Sequence, residues 1–249
     1  MDVALRSTAL WVLLLILAFT IPAGTILPVR LDFTLSSTKC KPGEIISARV
    51  MQDVPLPNGG AIRAGAKVIG RIVNVTAASD GHPASLSLRF DTLETSEGKL
   101  SVTTDLRAIA SFTEVERAQV PLGGADRGTP ANAWTTVQIG GDVVYRGGGY
   151  VVAHGERVGK PVNGGVLGPL RSNPERGCTV TSDVGEALQA LWLFSSDACG
   201  TYDLTNLRIR RAGPANPSGE IILDAAKGQV RVRAGAGLLL SMNDSAPAN

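Results

Sequence analysis

The stretch Ile26-Leu27-Pro28-Val29-Arg30-Leu31-Asp32-Phe33-Thr34-Leu35 decides the fold. Leu27, Val29, Leu31, Phe33 and Leu35 fall on one side of an extended chain. Ile26, Pro28, Arg30, Asp32 and Thr34 fall on the other. Period-two alternation predicts a strand with one buried face. Pro28 has no amide proton, so it is expected at a sheet edge or a bulge. The strand is opened by Ile21-Pro22-Ala23-Gly24-Thr25, and the phrase returns as Ile62-Arg63-Ala64-Gly65-Ala66-Lys67-Val68-Ile69-Gly70-Arg71. Ile, Ala and Gly keep their offsets, and Arg30 and Arg71 follow their Ile at the same distance. Each copy is a small-residue turn followed by a strand.

Working outward, residues 44–51 alternate again, with Ile46, Ala48 and Val50 on one face. The run 66–75 is more continuously apolar and predicts a central strand, with Gly70 marking a bulge or a close backbone approach. Leu86, Leu88 and Phe90, the turn Ser96-Glu97-Gly98-Lys99, and every second residue from Leu100 to Phe112 predict a hairpin whose second arm is one long strand. Residues 121–133 hold little to bury and read as a linker. Beyond them, strands are expected at 134–139 and 143–145, with mostly turns from 155 to 176. Asp183 and Glu186 have capping-box spacing for a single helical turn. A buried strand then runs from Leu188 to Asp197, and the alternation around Trp192 turns that ring toward the core. Further strands follow at 202–209, 220–224, 229–234 and 238–240. The expected fold class is all-β. A first β domain covers 21–120 and a second, irregular β domain covers 134–242, with a disordered tail at 243–249.

Composition agrees. Of 249 residues, 29 are Gly and 14 Pro, and aromatics make up only 4%, which suits short strands joined by tight turns. A formal net charge of +2 gives no nucleic-acid footprint. The densest basic group, Arg208, Arg210, Arg211, Arg231 and Arg233, reads as a solvated strand face.

Arg6 precedes a short apolar run over residues 9–19, the layout of a secretory signal peptide at 1–20. The alternative is an uncleaved anchor over residues 9–21, the only membrane contact expected. Either way the remainder is periplasmic or extracellular. Cys178 and Cys199 bracket a short segment that an oxidising compartment would join. Two buried thiols are the alternative. Cys40 is left over beside a Pro-Gly turn.

Neither His82 nor His154 has a second ligand at metal spacing, and no Gly-x-Ser-x-Gly elbow is present. The glycines of 140–149 lack the ending of a phosphate loop. No catalytic residue, metal or cofactor is therefore expected. Trp134 is the one aromatic left as a candidate glycan contact.

The phrases at 21–31 and 62–71 resemble the C-terminal β-barrel of TrbI-type conjugal transfer proteins, the outer core component of type IV secretion. In that family a strand opened by Ile-Pro-Ala-Gly-Thr is followed by a second ending in Ile-Gly-Arg. The likeness covers about residues 21–112 and implies a closed or nearly closed barrel in the cell envelope. The family's helix pair, which forms an outer-membrane pore, has no counterpart between Thr76 and Phe112. The second half is similar to the tails of uncharacterised exported bacterial proteins. The expected function is a non-enzymatic exported envelope protein, a structural or interaction module whose partners are other envelope proteins or cell-wall glycan. A secretion or conjugation component and a glycan-binding module are the alternatives.

Overall fold

The computed structural model describes residues 21–79, 81–211 and 218–243. The expected leader at 1–20 and the tail from residue 244 lie outside them. Asn243 is described, and its amide donates to the Thr103 carbonyl at 2.9 Å.

The described chain is almost all β. Its first part runs β1 (Ile26–Leu31), β2 (Leu35–Ser36), β3 (Ile45–Val50), β4 (Val54–Pro55), β5 (Ala61–Ile62), β6 (Lys67–Thr76), β7 (Ser85–Thr95), β8 (Gly98–Ser101) and β9 (Thr104–Ala110), then helix α1 (Phe112–Ala118). A middle part holds β10 (Thr135–Val137), β11 (Val143–Tyr145), β12 (Tyr150–Ala153), β13 (Glu156–Val162), β14 (Gly165–Pro169), α2 (Ser182–Glu186) and β15 (Leu188–Ala190). The chain ends with β16 (Gly200–Tyr202), β17 (Leu207–Arg210), β18 (Ile221–Ala225), β19 (Arg231–Val232) and β20 (Gly237–Met242).

A 10-stranded sheet runs β16-β9-β20-β1-β3-β6-β7-β18-β17, with β8 paired to β7. Its two end strands, β16 and β17, are joined only by residues 203–206, so the sheet curls into a nearly closed barrel. The expected division at 121–133 is thus corrected. The last strands return to complete the barrel, and β20 lies between β1 and β9, with Ile26 opposite Ser241. The middle part is an insertion carrying its own six-stranded antiparallel meander, β10 to β15. The stretch 155–176, expected as turns, supplies β13 and β14 of that meander. Glycines and exposed polar faces hide these strands from a hydrophobic-pattern reading.

Position in the barrel explains the other departures. Pro28 sits in a central strand, not at an edge. Its carbonyl accepts the Met51 amide at 3.0 Å just past the end of the β1–β3 ladder, where no donor is needed. Ile26 is as buried as Leu27, because the outer face of β1 is covered by the insertion. The long strand expected from Leu100 to Phe112 breaks after Ser101: β8 pairs with β7, and β9 with β20 and β16. All of β9 is buried, so alternation is lost there. The run 202–209 divides into β16 and β17 because its two ends lie on opposite ends of the sheet. Gly70 marks a bulge, as its sequence predicts. The register shifts between Ile69 and Gly70, and a Cβ at Gly70 would lie 2.1 Å from the Arg89 carbonyl oxygen.

Helix α1 has no counterpart in the sequence reading. Ser111 caps it, its hydroxyl accepting the Glu114 amide at 3.0 Å and donating to the Asp203 carboxylate at 2.6 Å. The expected helical turn forms as α2, but its N-cap is Thr181 rather than Asp183.

Two large apolar cores result, beside a small cluster of valines within the meander. One fills the barrel and draws on residues from Leu27 to Met242. The other lies between the barrel's outer wall (Ile26, Ala108, Leu239) and the insertion (Ile139, Trp192, Phe194). Gln52 stitches the same junction. Its amide nitrogen donates to the Val166 carbonyl at 2.9 Å, and its oxygen accepts the amides of Val166 (3.2 Å) and Trp192 (2.7 Å). Gly165 leaves room for this, since a Cβ there would meet Gln52 Oε1 at 2.2 Å.

Candidate binding cleft

The cleft at this junction is about 680 Å³ in volume. One wall is the end of α1 with Gln119. Another is the turn carrying Asn132 and Trp134, and a third is the β13–β14 turn with Asn163. Trp192 and Leu193 also line it.

The β10–β11 register brings its two most distinctive side chains together. Thr135 pairs with Tyr145, and the Arg146 amide donates to the Trp134 carbonyl at 3.2 Å. Trp134 and Arg146 are therefore cross-strand neighbours, on the same face as buried Thr136 and Val144. The Trp134 indole Nε1 donates to the Thr129 carbonyl at 3.3 Å, which fixes the ring, and the side chain is half-buried. Arg146 is also half-buried, and it makes no side-chain hydrogen bond or ion pair with the described residues. Burial lowers its pKa. Among the described residues no Asp or Glu lines the cleft.

The cleft rests on a buried, hydrogen-bonded support. Trp192 is buried, as its alternation predicts, but it does not lie in a strand. The expected strand to Asp197 stops at Ala190, and Trp192 takes φ +51°. A bulky residue in that region carries strain on the order of 1–3 kcal/mol, tolerated only where surrounding contacts enforce it. Gln52 holds its amide, and its ring packs beside Phe194 with centroids 6.5 Å apart. Phe194 is in turn tied to the end of β10 by the Gln138 side-chain amide, which donates to its carbonyl.

Cys178 and Cys199 form a disulfide that ties the connection between β14 and α2 to the residue just before β16. Beside it, Arg107 of β9 is buried. Its guanidinium donates to the Ala198 carbonyl at 2.9 Å and to the Arg171 carbonyl. Burial lowers its pKa to about 10, partly offset by Tyr202 and Asp197. Asp142, also buried, accepts from the Ser196 amide and hydroxyl, each at 2.9 Å. Cys40 is a buried free thiol whose sulfur accepts the Ser36 amide at 3.2 Å.

Among the described residues no group of three or more His, Cys, Asp or Glu could hold a metal ion. His154 occupies a tight turn at φ +50°, and His82 bridges to Ser79. Glu94 and Glu97 flank a hairpin turn, with Glu94 paired to Lys99. The arginines at 208, 210, 211, 231 and 233 are exposed, and Arg210 pairs with Asp224 at 2.9 Å. Sequence reasoning singled out Trp134. It missed Arg146, Gln119, Asn132 and Asn163, which carry no motif and meet only through the sheet register.

No family model matches the chain, and no curated protein matches it. Among solved structures, the ComB10 protein of the Com type IV secretion system of Helicobacter pylori is similar over 90% of this chain and 87% of its own, at 15% identity and a TM-score of 0.31. A superposition that loose carries neither fold nor function from one chain to the other.

Proposed function

We propose that this is an exported cell-envelope protein acting as a non-enzymatic interaction module, and that the cleft beside Trp134 holds a segment of cell-wall glycan. The cleft carries the reading. A fixed, half-buried indole offers a stacking surface, ringed by the side-chain amides of Gln119, Asn132 and Asn163. Such groups suit the alternating apolar faces and hydroxyl edges of sugars. Amides and a guanidinium hydrogen-bond a ligand but do not exchange protons near neutral pH, which favours holding over turnover. The Cys178–Cys199 bond supports export, since disulfides persist in oxidising compartments.

The test is a pull-down of the full exported chain on isolated cell wall, with titration of soluble oligosaccharides. Trp134→Ala is expected to weaken binding at least about tenfold while circular dichroism stays unchanged. Binding that survives this substitution overturns the reading.

A part in a secretion or conjugation apparatus is the second reading. It is kept by the nearly closed barrel opened by the two Ile-x-Ala-Gly phrases. It requires large rings, so a monomer by light scattering in mild detergent ends it.

A further inference from the structure

We propose that the cleft selects an acidic saccharide, with Arg146 receiving the carboxylate of a sugar whose ring lies on Trp134. This rests on the binding role proposed above and names its ligand class. Three observations carry it. Arg146 is half-buried and makes no side-chain hydrogen bond or ion pair with the described residues. Among the described residues no acid lines the cleft, and this guanidinium is the one formal charge in its lining. Its strand neighbour is the fixed indole, which sets a planar donor fork beside a stacking surface.

A desolvated cation without a counter-ion is costly, and a ligand carboxylate relieves that cost. The lowered pKa of Arg146 has the same cause. The planar guanidinium matches a carboxylate with two parallel hydrogen bonds, which a lysine cannot reproduce. The amides of Asn132 and Asn163 remain for the sugar hydroxyls. Electrostatic attraction to an exposed surface would fade with salt. A half-buried pair is screened less, so acid selectivity should persist at 0.15 M salt.

The experiment uses the full exported chain and two probe sets at matched length: oligouronates, whose sugars carry carboxylates, and neutral N-acetylglucosamine oligomers. Calorimetry at 0.15 M salt is expected to find oligouronates bound at least about tenfold tighter, the lower end for charge-assisted hydrogen bonds. Arg146→Gln should remove that preference, bringing oligouronate affinity down to that of the neutral set. Arg146→Lys should recover only part of it. Trp134→Ala should weaken both probe sets. Equal affinity for the two sets, or a preference that survives Arg146→Gln, overturns the acidic-ligand inference while the glycan-binding role stands. No binding of either set overturns both. An acidic peptide that binds as tightly as the oligouronate, with no loss on Trp134→Ala, overturns the choice of a sugar.

Discussion

The barrel and the inserted meander are both mainly antiparallel, yet they are held together by different means. The barrel buries one cluster of aliphatic side chains, including Leu27, Ile46, Leu86 and Leu240, drawn from both ends of the chain. The meander's own cluster is three buried valines, Val144, Val151 and Val166. Each fully buried side chain of this kind stabilises by about 1.5–3 kcal/mol, so three cannot offset the ordering of a sheet by themselves. The insertion depends instead on its docked segment (Trp192, Phe194), on the Gln52 and Gln138 amides, and on a covalent bond. The less self-sufficient region carries the cleft, and it is shaped where it leans on the more stable one.

Phe90→Ala should destabilise the barrel most. Phe90 is 1% exposed on β7, within the barrel core. Truncating such a residue costs about 3–5 kcal/mol through lost transfer energy and the cavity left behind. Because the barrel sheet draws its strands from both sides of the insertion, the denaturant midpoint should fall sharply and the insertion should unfold with it in one transition. An insertion that stays folded after the barrel is lost would show it to be independent, contrary to the shared core.

The disulfide probes the other region. It closes a sequence separation of 21 residues, worth on the order of 3 kcal/mol in the chain-entropy model. The closed segment carries β15, Trp192 and Phe194. Reduction, or Cys178→Ser with Cys199→Ser, should raise amide exchange over residues 178–199 and in the meander, while β3, β6 and β7 stay protected. Uniform acceleration through the barrel would make the two regions one cooperative unit.

The same contrast explains what could be read in advance. Strands that bury one face announced themselves: Ile46, Ala48 and Val50 in β3, Leu86, Leu88 and Phe90 in β7. Leu238, Leu239 and Leu240 were legible as a strand, but not as the neighbour of Val29, Pro28 and Leu27, since no local signal records a pairing so distant in the chain. Helix α1 was within reach through Ser111 and Glu114, three apart, yet the period-two pattern of 100–112 ran over it. Trp134 stood out by type. Arg146 could not, because its meaning comes from lying opposite Trp134 in a register set by glycine turns, in a cleft whose described lining holds no acid.

The smallest expected effect concerns the junction. Asp142 is buried, and that burial raises its pKa above 3.8, against the two hydrogen bonds from Ser196, which lower it. Asp197 adds to the rise, and Arg171 opposes it. With the folded pKa above the unfolded value, the folded chain binds the proton more tightly. Asp142 therefore contributes stability below the unfolded pKa and loses it as pH rises through the folded one. Asp53 runs the other way. The Ala64 amide and Arg63 lower its pKa, but it is exposed and the effect is screened. Asp142→Asn keeps an oxygen to accept from Ser196 and has no charge to bury. At pH 7 the variant should be as stable as the parent or slightly more so, and any advantage should shrink as pH falls toward 4. Denaturant midpoints of both proteins across that range measure it. A variant whose disadvantage is large at pH 7 would mean that the ionised carboxylate stabilises the junction, and the insertion would then rely on a buried charge as well as on its amides and its disulfide.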